Sequence, residues 1–127
     1  MKRIMTAMDK QDPSSFEATM RAFIAKAQND DVDGMIAITS KVNIKQLGGE
    51  EKAKEFYRND TIPVLKVFRT MAPGGESAFG ADKLGHYGWK FKRTLVAADG
   101  RTADFQFTIL REDVNLVVAS FGLWGKD

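Results

Sequence analysis

Gly88-Trp-Lys-Phe-Lys-Arg-Thr-Leu-Val-Ala-Ala-Asp-Gly-Arg-Thr-Ala-Asp-Phe-Gln-Phe-Thr-Ile-Leu-Arg-Glu-Asp-Val-Asn-Leu-Val-Val-Ala-Ser-Phe-Gly-Leu-Trp124 reads as a meander of three antiparallel strands. Asp99-Gly100 is a hairpin signal between the first two. A two-residue turn there sets Phe91 opposite Thr108 and Thr94 opposite Phe105, which mismatches apolar and polar faces. One more residue in the turn, with a glycine bulge, aligns Phe91, Arg93 and Leu95 with Ile109, Phe107 and Phe105, and this bulged register is the predicted one. Asp104, Gln106 and Thr108 then form a polar outer side.

The last strand differs in kind. Leu116 to Trp124 is apolar on both parities, and a strand apolar on both sides is covered on both sides. Helices cover one face. A second copy of the same sheet is the simplest cover for the other, which predicts a homodimer through the sheet's outer face.

Upstream of the meander the periodicity is helical. Phe16, Met20, Phe23, Ile24 and Ala27 recur at helical spacing after Asp12-Pro13-Ser14-Ser15-Phe16-Glu17, where Pro suits a first turn and Ser14 with Glu17 has capping-box spacing. Asn29-Asp30-Asp31 interrupts the stripe and caps a second one of Val32, Met35, Ile36 and Thr39. Val42 to Leu47 alternates weakly and reads as a short strand ending at Gly48-Gly49. A third helix follows, with Glu50 and Glu51 at its positive end and Phe56 and Tyr57 on its buried side. Pro63 disturbs it, so Val64 to Met71 becomes a strand or a helical turn entering one. Residues 73–85, with four glycines, form the longest loop-like segment.

A chain of 127 residues fits one domain. We assign residues 1–11 to a flexible N-terminal segment and 12–127 to that domain. Nine Phe supply an interior, and 19 basic against 17 acidic residues leave a formal charge of only +2 without basic runs, which argues against nucleic acid. The absence of Cys removes disulfides, thiolate zinc sites and cysteine nucleophiles. Asp9 and Lys10 cut short the apolar run a signal peptide needs, and no segment has the ~20 apolar residues of a membrane span. The expected location is therefore cytoplasmic as written, although a signal removed before residue 1 would leave no trace.

Helices followed by a long antiparallel sheet that ends in Val-Val-Ala-Ser-Phe-Gly-Leu-Trp124 resemble the cone-shaped fold of the nuclear transport factor 2-like superfamily, which includes ketosteroid isomerases, polyketide cyclases, scytalone dehydratases and many non-catalytic proteins. The resemblance covers residues 12 to 125 and rests on Asp31-Val-Asp-Gly-Met-Ile-Ala-Ile38, Glu55-Phe-Tyr57 and the terminal strand. It implies an α+β cone, with three N-terminal helices packed on a curved antiparallel sheet. Isomerase-like members carry a carboxylate base after the second helix, where Val42-Asn-Ile-Lys-Gln-Leu47 has none. Their assisting acid comes from inward positions of the penultimate strand, here Phe105, Phe107 or Ile109, which cannot donate to an oxyanion. The dehydratase arrangement needs His and Asp in the pocket, and the chain has one His. The implied function is a non-catalytic or accessory protein that binds a small hydrophobic ligand in the cone. The alternatives are an isomerase, cyclase or dehydratase with a non-standard site, and a dimeric protein-interaction module.

Few groups carry chemistry of their own. His86 is the candidate general base, set against an ordinary role at a loop-strand junction. Asp30, Asp31 and Asp33 read as a helix cap rather than metal ligands, and Gly48-Gly49 lacks the Lys-Ser or Lys-Thr of a phosphate cradle, so no metal or cofactor is expected. The expected pocket is lined by Phe16, Met20, Tyr57, Tyr87, Trp89, Phe105, Phe107 and Trp124, with Tyr and Trp tips as hydrogen-bonding groups.

Overall fold

The computed structural model describes residues 13–72, 74–79, 88–113 and 115–123. Helical segments come first and an antiparallel sheet last, an α+β arrangement. Helix α1 (Ser14–Gln28) buries Phe16, Met20, Phe23 and Ala27, the stripe its spacing dictates. Ser14 is the first helical residue rather than the cap, and the Glu17 carboxylate is drawn to Arg21 and Arg93. Helix α2 (Val32–Ala37) starts as expected behind Asp31, whose carboxylate accepts from the Gly34 amide at 3.0 Å.

The helical half has more pieces than three. Residues expected to form a strand are helix α3 (Lys41–Gln46). The reason lies far away in sequence: Glu112 accepts from the Ser40 hydroxyl at 2.5 Å and from the Lys41 amide at 3.1 Å, which satisfies the start of that helix. The strand-like contact is made just before it, where Thr39 bridges Val118 and the Val118 amide donates to the Ile38 carbonyl. Helix α4 (Glu50–Phe56) runs into a π-helical turn (Tyr57–Thr61) and then α5 (Ile62–Lys66). Pro63 lacks the N–H that a continuous α-helix needs at that point, and the widened turn precedes it. The disturbance expected from Pro63 is thus a π turn.

Five strands follow: β1 (Phe68–Ala72), β2 (Glu76–Phe79), β3 (Gly88–Ala97), β4 (Thr102–Glu112) and β5 (Asn115–Leu123). The order is β1-β3-β4-β5, and β2 also pairs with β3. β1 and β2 therefore share one edge of β3, joined through Gly74 and Gly75, so the sheet is four strands wide. The loop expected over 73–85 is partly strand, because the open edge of β3 offers hydrogen bonds that outweigh a glycine-rich composition.

The β3–β4 hairpin has the three-residue loop that face matching requires, but not the expected partners. Ala97 lies opposite Arg101, with Gly100 at φ 90° as the bulge residue. Phe91 pairs with Phe107 and Arg93 with Phe105, two residues nearer the turn than predicted. Asp99 secures this closure by accepting from both the amide and Nε of Arg101. The parity is the expected one, and Phe91, Leu95, Phe105, Phe107 and Ile109 all enter the core.

A second bulge settles the two-sided apolarity of β5. Ile109 pairs with Val118 and Thr108 with Ser120, which leaves Ala119 as an extra residue. Before it the even positions Leu116 and Val118 pack on the core; after it the odd position Phe121 does. On the opposite side Val117 and Leu110 are paired and already buried within the single chain. The argument for a covering second sheet therefore lapses.

Candidate functional site

Phe121 turns its ring under α1 and the π turn. It stacks on Phe105 at 5.1 Å, lies 5.0 Å from Phe107 and 6.3 Å from Phe23, whose own ring meets Tyr57 edge-on at 5.6 Å. Two cavities open beside this cluster. One, about 200 Å³, has Phe23, Leu47, Phe56, Val118 and Phe121 as apolar walls and Asn43, Tyr57, Thr61 and Ser120 as polar points. The other, about 220 Å³, shares Phe56, Thr61 and Phe121 with the first and adds Val64, Phe105, Gly122 and Asp60. Phe56, Tyr57, Asp60, Thr61 and Val64 supply the helical side of the lining, at the i, i+1, i+4, i+5 and i+8 spacing that shares one helical face along the α4–α5 stretch.

Tyr57 is the most constrained polar group there. It is 4% exposed, and its hydroxyl lies 2.9 Å from Thr39 Oγ1. The Thr39 hydroxyl donates its single proton to the Met35 carbonyl at 2.6 Å. Tyr57 must then be the donor to Thr39, which leaves the lone pairs of its oxygen to accept from another group. Burial pushes its pKa above the usual tyrosine range, and the Thr39 hydrogen bond offsets part of that. The phenol is neutral at pH 7.

Of the residues expected to line the pocket, Tyr57 and Phe105 do so. Phe16, Met20 and Phe107 are fully buried in the core cluster instead, because the α1 stripe and the β3–β4 face pack directly on each other. Trp89 is half-buried against Phe91, away from both cavities. His86, Tyr87, Trp124 and the N-terminal segment 1–11 lie outside the described residues. Asp30, Asp31 and Asp33 each pair with a lysine, Lys66 at 2.7 Å, Lys26 at 3.8 Å and Lys54 at 3.1 Å. No described helix is long and apolar enough to cross a membrane.

Sequence reasoning missed Phe121, Thr61, Ser120 and Asp60. The parity of the first and third depends on the Ala119 bulge, whereas the other two lie on the same helical face as Phe56 and Tyr57, one turn on, a spacing the sequence does carry. The chain matches no family model and no curated protein.

Proposed function

We propose that this chain is a ligand-binding protein with the cone architecture of the nuclear transport factor 2-like superfamily, and that it holds a small, mainly apolar molecule at Tyr57. The order of helices before an antiparallel meander supports the architecture. What carries the functional reading is the Tyr57–Thr39–Met35 relay. A phenol that spends its proton on Thr39 offers an acceptor to a ligand N–H or O–H and is poorly disposed to stabilise an oxyanion. The described residues around Tyr57 in that cavity include no carboxylate or imidazole, and aromatic walls with a few polar points suit binding by shape.

One observation favours an enzyme as the second reading. Asp60, in the adjoining cavity, is a carboxylate on a helix rather than in the segment after α2. It can serve as a base only for a ligand that spans Phe56 and Phe121.

Native mass spectrometry of the gently purified protein tests the first reading. The expected result is an added mass in the wild type, lost on denaturation and absent from Ser120→Trp, in which an indole fills the cavity. A bare wild type counts against it. The same spectrum counts subunits, and a dimer would return weight to the interaction-module reading.

A further inference from the structure

A separate cavity, of about 340 Å³, opens between α1 and the edge strand β1. Arg21, Ile24, Ala25 and Gln28 form its helical wall at i, i+3, i+4 and i+7, a stripe adjacent to the core stripe of α1. The apolar floor is Leu95, Phe68 and Met71, and two guanidinium groups, Arg21 and Arg69, stand among its lining. Gln28 fixes the width of the groove, since its side-chain amide donates to the carbonyls of Leu65 and Phe68, both at 3.1 Å.

Its charge is positive. Among the described residues the lining holds Arg21 and Arg69 and no carboxylate, and the Glu17 oxygen that accepts from Arg21 at 3.2 Å also accepts from the buried Arg93 at 3.3 Å. Arg69 makes no ion pair with any described residue. It is also the extra residue of the β1 bulge between Phe68 and Thr70. A bulge turns a side chain away from the pleat and blunts a sheet edge, so added-strand pairing by a peptide is disfavoured here.

We infer that this groove binds a small organic carboxylate, with its anionic head between Arg21 and Arg69 and its hydrocarbon body on Leu95, Phe68 and Met71. An apolar cavity of about 150 Å³ holds a benzene, and this groove, more than twice that size, has room for an eight-carbon chain. The site is distinct from the Tyr57 cavity and shares no residue with it.

Octanoate and 1-octanol, equal in chain length and different in charge, are the probes. The protein is labelled with methyl-¹³C methionine, and the Met71 resonance is assigned through Met71→Leu. Octanoate should shift Met71 saturably, while 1-octanol binds at least several-fold more weakly. Arg21→Gln and Arg69→Gln, both at exposed positions, should each weaken octanoate about threefold and leave 1-octanol unchanged. Equal affinity for the two probes would overturn the assignment, as would a double variant that binds octanoate like the wild type. A response confined to Met35, which neighbours the Tyr57 relay, would also overturn it while supporting the ligand site at Tyr57.

Discussion

Arg93 reaches from the inward face of β3 to Glu17 on α1, with Nη2 3.3 Å from the carboxylate and the guanidinium carbon 5.1 Å from the centre of the Phe91 ring. The arginine side chain is 4% exposed and that of Glu17 30%. A charge sits where the β3 pattern otherwise places Phe91 and Leu95. Its Nη1 also donates to the carbonyls of Gly75 and Lys92, each at 3.0 Å. Removing the carboxylate leaves that buried charge less compensated, although the exposure of Glu17 reduces the penalty below that of a fully buried pair. We expect Glu17→Gln to cost about 1–2 kcal/mol and Arg93→Ala about 3 kcal/mol, read from urea midpoints.

The Tyr57 relay carries a pH signature. Its folded pKa is raised, so the stability it contributes is present in full below the unfolded value of about 10 and is lost as pH rises through the folded value. Tyr57→Phe should cost about 1 kcal/mol at pH 8 through the lost hydrogen bond to Thr39. Between pH 10 and 11.5 the gap should narrow, because only the wild type has this phenol to ionise. Denaturant titrations monitored by circular dichroism at the two ends of that range decide it.

The Ala119 bulge predicts which charges β5 tolerates. Val118→Asp places a carboxylate in the core and should cost more than about 3 kcal/mol, enough to unfold much of the protein at 37 °C. Ser120→Asp, two residues on and exposed, should change stability by no more than about 0.5 kcal/mol. An unbulged strand places both positions on the same face and predicts similar costs, so the thermal midpoints of the pair test the bulge directly.

The junction between β1 and β2 offers a matched pair of glycines. A Cβ on Gly74 would meet the Lys92 carbonyl oxygen at 1.9 Å, whereas one on Gly75 meets nothing within 4 Å. Gly74→Ala should cost about 2 kcal/mol or more by forcing the edge apart. Gly75→Ala should be close to neutral, and hydrogen exchange of the β3 amides should rise only in the former.

Much of this architecture was legible in the chain, in places that physics makes local. The spacing of Phe16, Met20, Phe23 and Ala27 needs nothing beyond helical period, and Asp31 caps α2 through a neighbour three residues away. Face parity on β3 and β4 followed from a period of two. What escaped depends on remote partners or on silent insertions. Val42 to Leu47 alternates weakly like a strand, yet Lys41–Gln46 is helical, with Glu112 anchoring its start. Ala119 carries no mark of a bulge, yet it reverses the meaning of every residue after it and removes the reason for expecting a covered outer face. The cavity inherited the second problem: aromatic character pointed to Tyr57 and Phe105, while the inward turn of Phe121 depends on the Ala119 bulge.

Ile38, Thr39 and Ser40 grip Val118, and Glu112 holds Ser40 and Lys41. These same few residues carry the Thr39 end of the Tyr57 relay and one wall of its cavity. The cavity beside Tyr57 is thus closed by a clasp between two parts of the chain more than seventy positions apart. A polypeptide shortened before residue 118 lacks Val118, Ser120 and Phe121, and with them one wall of that cavity. If the cavity holds a ligand as proposed, damage anywhere along the clasp should register as lost binding while the helical content of the protein still looks intact.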